Sequence, residues 1–436
     1  MSSYAEQFVA FADSVSSPFH AISGICRVLD ENGYEKLNEY TSWLIRPGKK
    51  YYAVRNSSSV IAFRIPENGF ASYKIVASHS DSPVFKLKPV CEESVLGSKY
   101  VRLNTERYGG MIMSTWLDRP LGIAGRVMLR TENGIEERNI DLGRNAVLIP
   151  NVPIHFNREI NSGYNYNPQT DLLPIYSASS GKELLKNEIA QLAGVKEDDI
   201  IAQDLYLYCR VNGCVWGREN EFISCGRIDD LECAWTSLQA FIAAAPSEQI
   251  NVFCVFDNEE VGSTSKQGAD GDFLYNTLHR IGLALGKNEG EIMAAMNAGF
   301  MVSADNAHAV HPNHPEKYDA DNRAFMNEGI VIKQNASQKY TTDAVSSAVF
   351  SEICKKAGVP VQYFANRSDL PGGSTLGNIS NSHISMNTVD IGLAQLAMHS
   401  SYETAGSKDI DYMITALKVF FETEICFQGE GKIKIE

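Results

Sequence analysis

Between Val252 and Phe256 the chain is an almost unbroken apolar run, and it passes at once into Asp257-Asn258-Glu259-Glu260-Val261-Gly262-Ser263. A run without polar alternation reads as a strand buried on both faces, as in a parallel sheet. Sheets of that kind are covered by helices, so this stretch points to an α/β architecture. They keep their chemistry at the carboxyl ends of their strands. Two adjacent carboxylates at such an end invite a division of labour, one on a metal and one handling a proton. A lone Glu-Glu pair would more often be a solvated strand-to-helix turn. The pattern, however, recurs.

Tyr73–Ala77 leads to His79, and Gly299–Ala304 leads to Asp305. If these strands are neighbours, their ends bring His79, Glu259, Glu260 and Asp305 together. Leu231 to Ala245 has a strong helical pattern with Asp229 or Asp230 placed as its N-cap. His399 follows another strand in Gln395-Leu396-Ala397-Met398-His399-Ser400. Two histidines with three or more carboxylates and no thiolate suit a catalytic site for zinc, cobalt or manganese. Closed structural zinc sites instead favour thiolates.

The rest of the chain frames this set. At 436 residues two domains are expected. The α/β texture of residues 1–91 returns at 223–436, and helix and strand signals alternate in both. The stretch 92–222 has short β-prone runs between Asn-, Gly- and Pro-bearing turns, and it reads as an inserted β-rich module. The net charge of −14 offers no basic field for nucleic acid or an anionic membrane. Nine cysteines without a CxxC pair point to a reducing, cytoplasmic compartment. The N-terminal residues read as an amphipathic helix rather than a signal peptide.

Five pieces, in order, resemble the aspartyl aminopeptidase family: Ser78-His79-Ser80-Asp81-Ser82-Pro83, Arg227-Ile228-Asp229-Asp230-Leu231, the Asp257–Ser263 stretch, Ser303–Asn313 and Gln395–Ser400. The resemblance implies a zinc-peptidase-like mixed or parallel sheet flanked by helices, with the insert serving as lid and dimerisation domain. It implies two divalent metal ions, most simply zinc. His79 and Asp305 would bind one, Glu260 and His399 the other, and Asp229 would bridge them. A shared carboxylate offsets the repulsion of two close cations. Glu259 would be the general base and Asp81 would orient His79 through its second ring nitrogen. It further implies a cytosolic dodecamer built from dimers and acting on short peptides.

Substrate contacts are carried over from the same resemblance. Lys333 matches a lysine implicated in recognising acidic N-terminal residues, His308 and His311 would line the cleft, and Gly373 would lie near the substrate backbone. His155, in Pro150–Arg158, matches a histidine that reaches a neighbouring subunit's site. Position 230 departs from the many relatives that carry Asn, and Asp230 could pair with Arg227 or alter metal preference. His308, His311 and His314 have the spacing of a helical metal face, but Pro312 and Pro315 break any helix there. Two other functions remain open at this point. One is a different cocatalytic zinc hydrolase, such as a carboxypeptidase or amidohydrolase; the other is a catalytically silent assembly protein.

Overall fold

The computed structural model describes residues 2–179, 181–429 and 431–436. Its main sheet has nine strands, and four central neighbours run parallel: Ile250–Phe256, Tyr73–His79, Phe300–Ala304 and Asn387–Gly392. Ser59–Arg64 joins this group antiparallel on one side and Ile330–Gln334 antiparallel on the other, so the sheet is mixed. The three strands expected to be neighbours are adjacent, with Tyr73–His79 in the middle. Phe256 is in register with His79. All seven residues of Ile250–Phe256 are buried.

Strand alternation sends side chains into two separate cores. Phe253 and Val255, with Val76 and Val302, meet helices Pro18–Glu31, Ile228–Ala243, Ala344–Ala357 and Ser407–Glu422. Val252, Cys254 and Phe256, with Ile75, Ala77 and Met301, meet Phe273–Ala284 and Glu289–Asn297 on the other face. Truncating a core side chain such as Phe253 to alanine would cost about 3–5 kcal/mol. This two-sided burial leaves few polar groups along these strands and gathers most of them at the strand ends. No described helix is long and apolar enough to cross a membrane.

A second, six-stranded antiparallel sheet spans Val84–Val95 to Ile200–Cys209 and has its own core, which includes Phe85, Trp116, Ile123 and Leu205. The boundaries expected at 92 and 222 do not coincide with this sheet. Residue 92 falls inside the Val84–Val95 strand, and Phe222–Cys225 pairs with Glu403–Gly406 in a third sheet. The reason is local. Phe85 and Leu87 alternate with half-exposed Lys86 and Lys88, an amphipathic strand that already belongs to the second sheet before the composition changes. Only residues 80–83 separate it from His79. The 366–383 stretch contains the helix Leu376–His383.

Candidate metal centre

His79 ends its strand, Glu259 and Glu260 form a turn just beyond the neighbouring strand, and Asp305 follows the strand on the other side. Asp229 lies at the mouth of helix Ile228–Ala243, where Asp229 and Asp230 depart from helical geometry. Neither carboxylate caps that helix, contrary to expectation. Asp230 Oδ2 instead accepts the His79 backbone N–H at 3.0 Å. Arg227 does not pair with Asp230 either; its guanidinium donates to the Ala12 carbonyl.

Asp229 is the meeting point. Its Oδ1 lies 3.5 Å from His79 Nε2, and its Oδ2 lies 3.4 Å from His399 Nε2. Glu260 Oε2 is 3.3 Å from the same His399 nitrogen. Ligand atoms of His79, Asp229, Asp230 and Asp305 fall within 4.8 Å of one another, as do those of Asp229, Glu260 and His399. Both imidazoles have their tautomer set from behind. A carbonyl oxygen only accepts, so His79 Nδ1–H donates to Asp81 O at 3.1 Å and His399 Nδ1–H donates to Gly110 O. Each Nε2 therefore faces the carboxylates and is the ring nitrogen left to bind a metal ion once it gives up its proton.

The charges of the set are unbalanced. Burial and neighbouring carboxylates, Asp229 first among them, push Glu260 well above the usual carboxyl range, while His79 opposes this. Burial, with Asp305, Asp81 and Asp229, pushes Glu259 up to about 8 against the opposing pull of His79. Burial lowers the tendency of His79 to charge, yet Asp230, Asp229 and Asp81 together raise it well above its ordinary value. Asp229 Oδ1, Asp230 Oδ1 and Glu260 Oε1 are buried without a hydrogen-bond partner. An unmade bond of this kind costs about 1–3 kcal/mol. Hard oxygens and imidazole nitrogens, crowded and orphaned, are what divalent cations would satisfy. The buried cluster fits a dimetal site.

The model of the aminopeptidase I zinc metalloproteases, M18, matches residues 11–421. The chain belongs to the M18 aminopeptidase family. It is a metallo-aminopeptidase. A probable M18 family aminopeptidase 2 of Clostridium acetobutylicum is 44% identical over 427 residues, covering 96% of this chain and 98% of that protein. The crystal structure of yeast aminopeptidase 1 superposes with a TM-score of 0.85 at 28% identity, covering 96% of each chain. The S. cerevesiae mApe1 dodecamer gives 0.85 at 27% identity, with the same coverage.

Within this M18 chain the other expected residues are more scattered. Asp81 holds His79 by its carbonyl more closely than by its carboxylate, whose Oδ1 is 3.4 Å from Nδ1. The carboxylate is used elsewhere: Oδ1 accepts the Glu259 N–H, and Oδ2 accepts the Glu260 N–H, each at 3.1 Å. Lys333 is buried at 2% exposure, and its ammonium donates to Asp305 O at 2.7 Å, with Asp305 Oδ1 3.6 Å away. It is neither a solvated strand-end lysine nor a free cation for an acidic side chain. His308 is half-buried with its ring 6.1 Å from that of Phe364. None of His308, His311 and His314 joins a metal-sized group among the described residues. Gly373 faces open space ahead of helix Leu376–His383, and His155 is exposed on a turn.

Sequence reasoning missed two supports of the M18 centre. Glu403, buried, accepts the Asp229 N–H at 3.1 Å and the His399 N–H at 2.7 Å on its two oxygens. Its place four residues after His399 is the one local signal it carried. Gly110, just beyond the second sheet's Tyr100–Tyr108 strand, carried none.

Proposed function

We propose that the centre holds two divalent ions, zinc by the family's description. His79 and Asp305 would hold one ion, Glu260 and His399 the other, and Asp229 both. The observation that carries this reading is the placement of Asp229's two oxygens, 3.5 Å and 3.4 Å from two different imidazoles. Bound there, the ions supply Lewis acidity to the scissile carbonyl and make water more acidic.

In this reading the residues divide the work of removing an N-terminal residue from short peptides. Glu259 accepts the proton of the attacking water and passes it to the leaving amine, a transfer worth roughly 10²–10⁴ in rate. Asp81 fixes the turn that carries Glu259 through the two backbone N–H groups it accepts. Glu403 ties the backbones of Asp229 and His399 together. A buried substrate carboxylate would need a local cation. Lys333 is already bound to Asp305, so the reading carries no acidic requirement.

The second sheet, which makes up most of the expected 92–222 module and begins before it at Val84, would act as lid and subunit contact in a homo-oligomer, a dodecamer built from dimers. The similar S. cerevesiae mApe1 is itself a dodecamer. Ile154 and Phe156, 48% and 86% exposed beside His155, support a contact with a neighbouring chain there. Light scattering tests the assembly; a stable and fully active monomer would overturn it. The test of the chemistry pairs elemental analysis with a panel of Leu-, Glu- and N-blocked aminoacyl amides. Two metals per chain and cleavage confined to free amines are expected. Equal cleavage of blocked substrates would point to an amidohydrolase instead.

A further inference from the structure

The second sheet does more than lie near the metal centre. Tyr108 ends the strand Tyr100–Tyr108, and its hydroxyl donates to Asp81 Oδ2 at 2.6 Å while accepting from Asn258 Nδ2 at 2.8 Å. Asp81 in turn accepts the backbone N–H groups of Glu259 and Glu260. One phenol therefore touches both the carboxylate that holds the Glu259–Glu260 turn and the residue that begins that turn. Burial and the charge on Asp81 hold the phenol protonated, far above its ordinary value, so it acts as a fixed donor.

The next residues continue the same attachment. Gly109 adopts φ +75°, and a Cβ there would stand 3.2 Å from Glu260 Cβ and 3.4 Å from Pro83 Cα. Glycine lets the backbone lie against Glu260 at that point. Gly110 O accepts the His399 ring N–H, and Ile112 N–H donates to His399 O at 3.0 Å. The segment 108–112 thus braces both the Glu259–Glu260 turn and His399, and Tyr108 is the one side chain in it that does so by a removable polar group.

We propose that Tyr108 is a positioning residue for the hydrolysis, acting through Asp81 on the Glu259–Glu260 turn and so coupling the second sheet to the metal centre. The inference rests on the assignment of Glu259 as base and Glu260 as ligand. Support groups of this kind typically change activity or metal affinity by roughly 10–100-fold when removed. Asp81 would keep its bonds to the two glutamate amides without Tyr108, but would lose its strongest orienting donor. The turn would then sample positions from which Glu259 addresses the attacking water less often, an effect on turnover more than on substrate affinity.

The test compares Tyr108→Phe with Tyr206→Phe and Glu259→Gln in the intact, metal-loaded protein. Tyr206 packs edge-on against Tyr108 at 5.9 Å, and its hydroxyl makes no hydrogen bond among the described residues, so it controls for packing. For Tyr108→Phe we expect kcat to fall roughly 10–100-fold on a Leu-amide with KM near wild type. Metal should also be lost faster on dialysis against a chelator, while Tyr206→Phe stays near wild type in both. Wild-type kcat and metal retention in Tyr108→Phe, alongside an inactive Glu259→Gln, would overturn the proposal and leave the base assignment standing. Equal losses in Tyr108→Phe and Tyr206→Phe would assign the effect to packing and overturn it too. An active Glu259→Gln would instead remove the assignment on which the proposal rests.

Discussion

The two imidazoles of the centre are built in different ways. His79 is 1% exposed at the end of a central parallel strand, with hydrogen-bonded neighbours on both sides. His399 has a side chain 32% exposed and sits at φ +68° in a loop, where Ala397 also has positive φ. A non-glycine residue at positive φ is uncommon and persists where its surroundings hold it. For His399 the holders are Gly110 and Ile112, beside the second sheet, and Glu403 from the third. One half of the site is thus a property of the core, and the other is assembled from three separate parts of the fold. The core-built half should be the more rigid and the loop-built half the more labile, because local opening follows few buried contacts.

Glu259 stands between the halves, and its replacement should have the largest effect on rate. Glu259→Gln keeps the shape of the side chain but removes the proton acceptor. Turnover should fall at least ~10²-fold with the metal content unchanged. Near-normal turnover would exclude Glu259 as the base.

The comparison itself is broken or sharpened by two histidine variants. His399→Ala should remove one metal and most activity while leaving the urea midpoint of the metal-free chain close to wild type. His79→Ala should also lower that midpoint, because it empties a buried site and leaves Asp229 and Asp230 without their cationic neighbour, a class of change that typically costs several kcal/mol. Equal midpoints for the two variants would refute the contrast between a core-built and a loop-built side.

Smaller effects test the supports. Glu403→Ala should weaken metal retention by roughly 10–100-fold in chelator competition, with Glu403→Gln milder because its carbonyl oxygen still accepts one of the two N–H groups. Identical retention in both variants and wild type would remove Glu403 from the loop-built half.

The smallest effect probes the opposite end of the His79 strand. Lys74 is fully buried there, and its amine donates to the Phe421 and Thr423 carbonyls. Burial pushes its pKa down to about 7, against ~10.4 for an exposed lysine. Between those values the unfolded chain binds the extra proton, so stability should rise with pH across that window. Lys74→Met should flatten that rise in denaturant titrations. An unchanged slope would show that Lys74 stays charged in the folded strand.

The core half was legible because its signal is local. Predominantly apolar runs at 73–77, 252–256 and 299–304, broken only by Lys74 and Ser303, announce strands buried on both faces, and the ligand candidates lie within four residues beyond them. Their neighbour relations follow once the strands share a sheet. Lys333 misleads because its position after Val331 and Ile332 looks like an exposed strand end. Pairing on both edges, with Phe364 and Ile391 nearby in register, keeps it inside.

Sequence alone therefore determined the α/β class, the candidate ligand residue types and the strand ends that carry them, because periodicity and burial act within a few residues of one another. Only the tertiary structure decided which groups hold those ligands in place. Tyr108, Gly110 and Glu403 reach Asp81, His399 and Asp229 across 27, 289 and 174 residues of chain, respectively. A hydrogen bond spans about 3 Å, and no local pattern encodes which distant backbone will arrive at that distance.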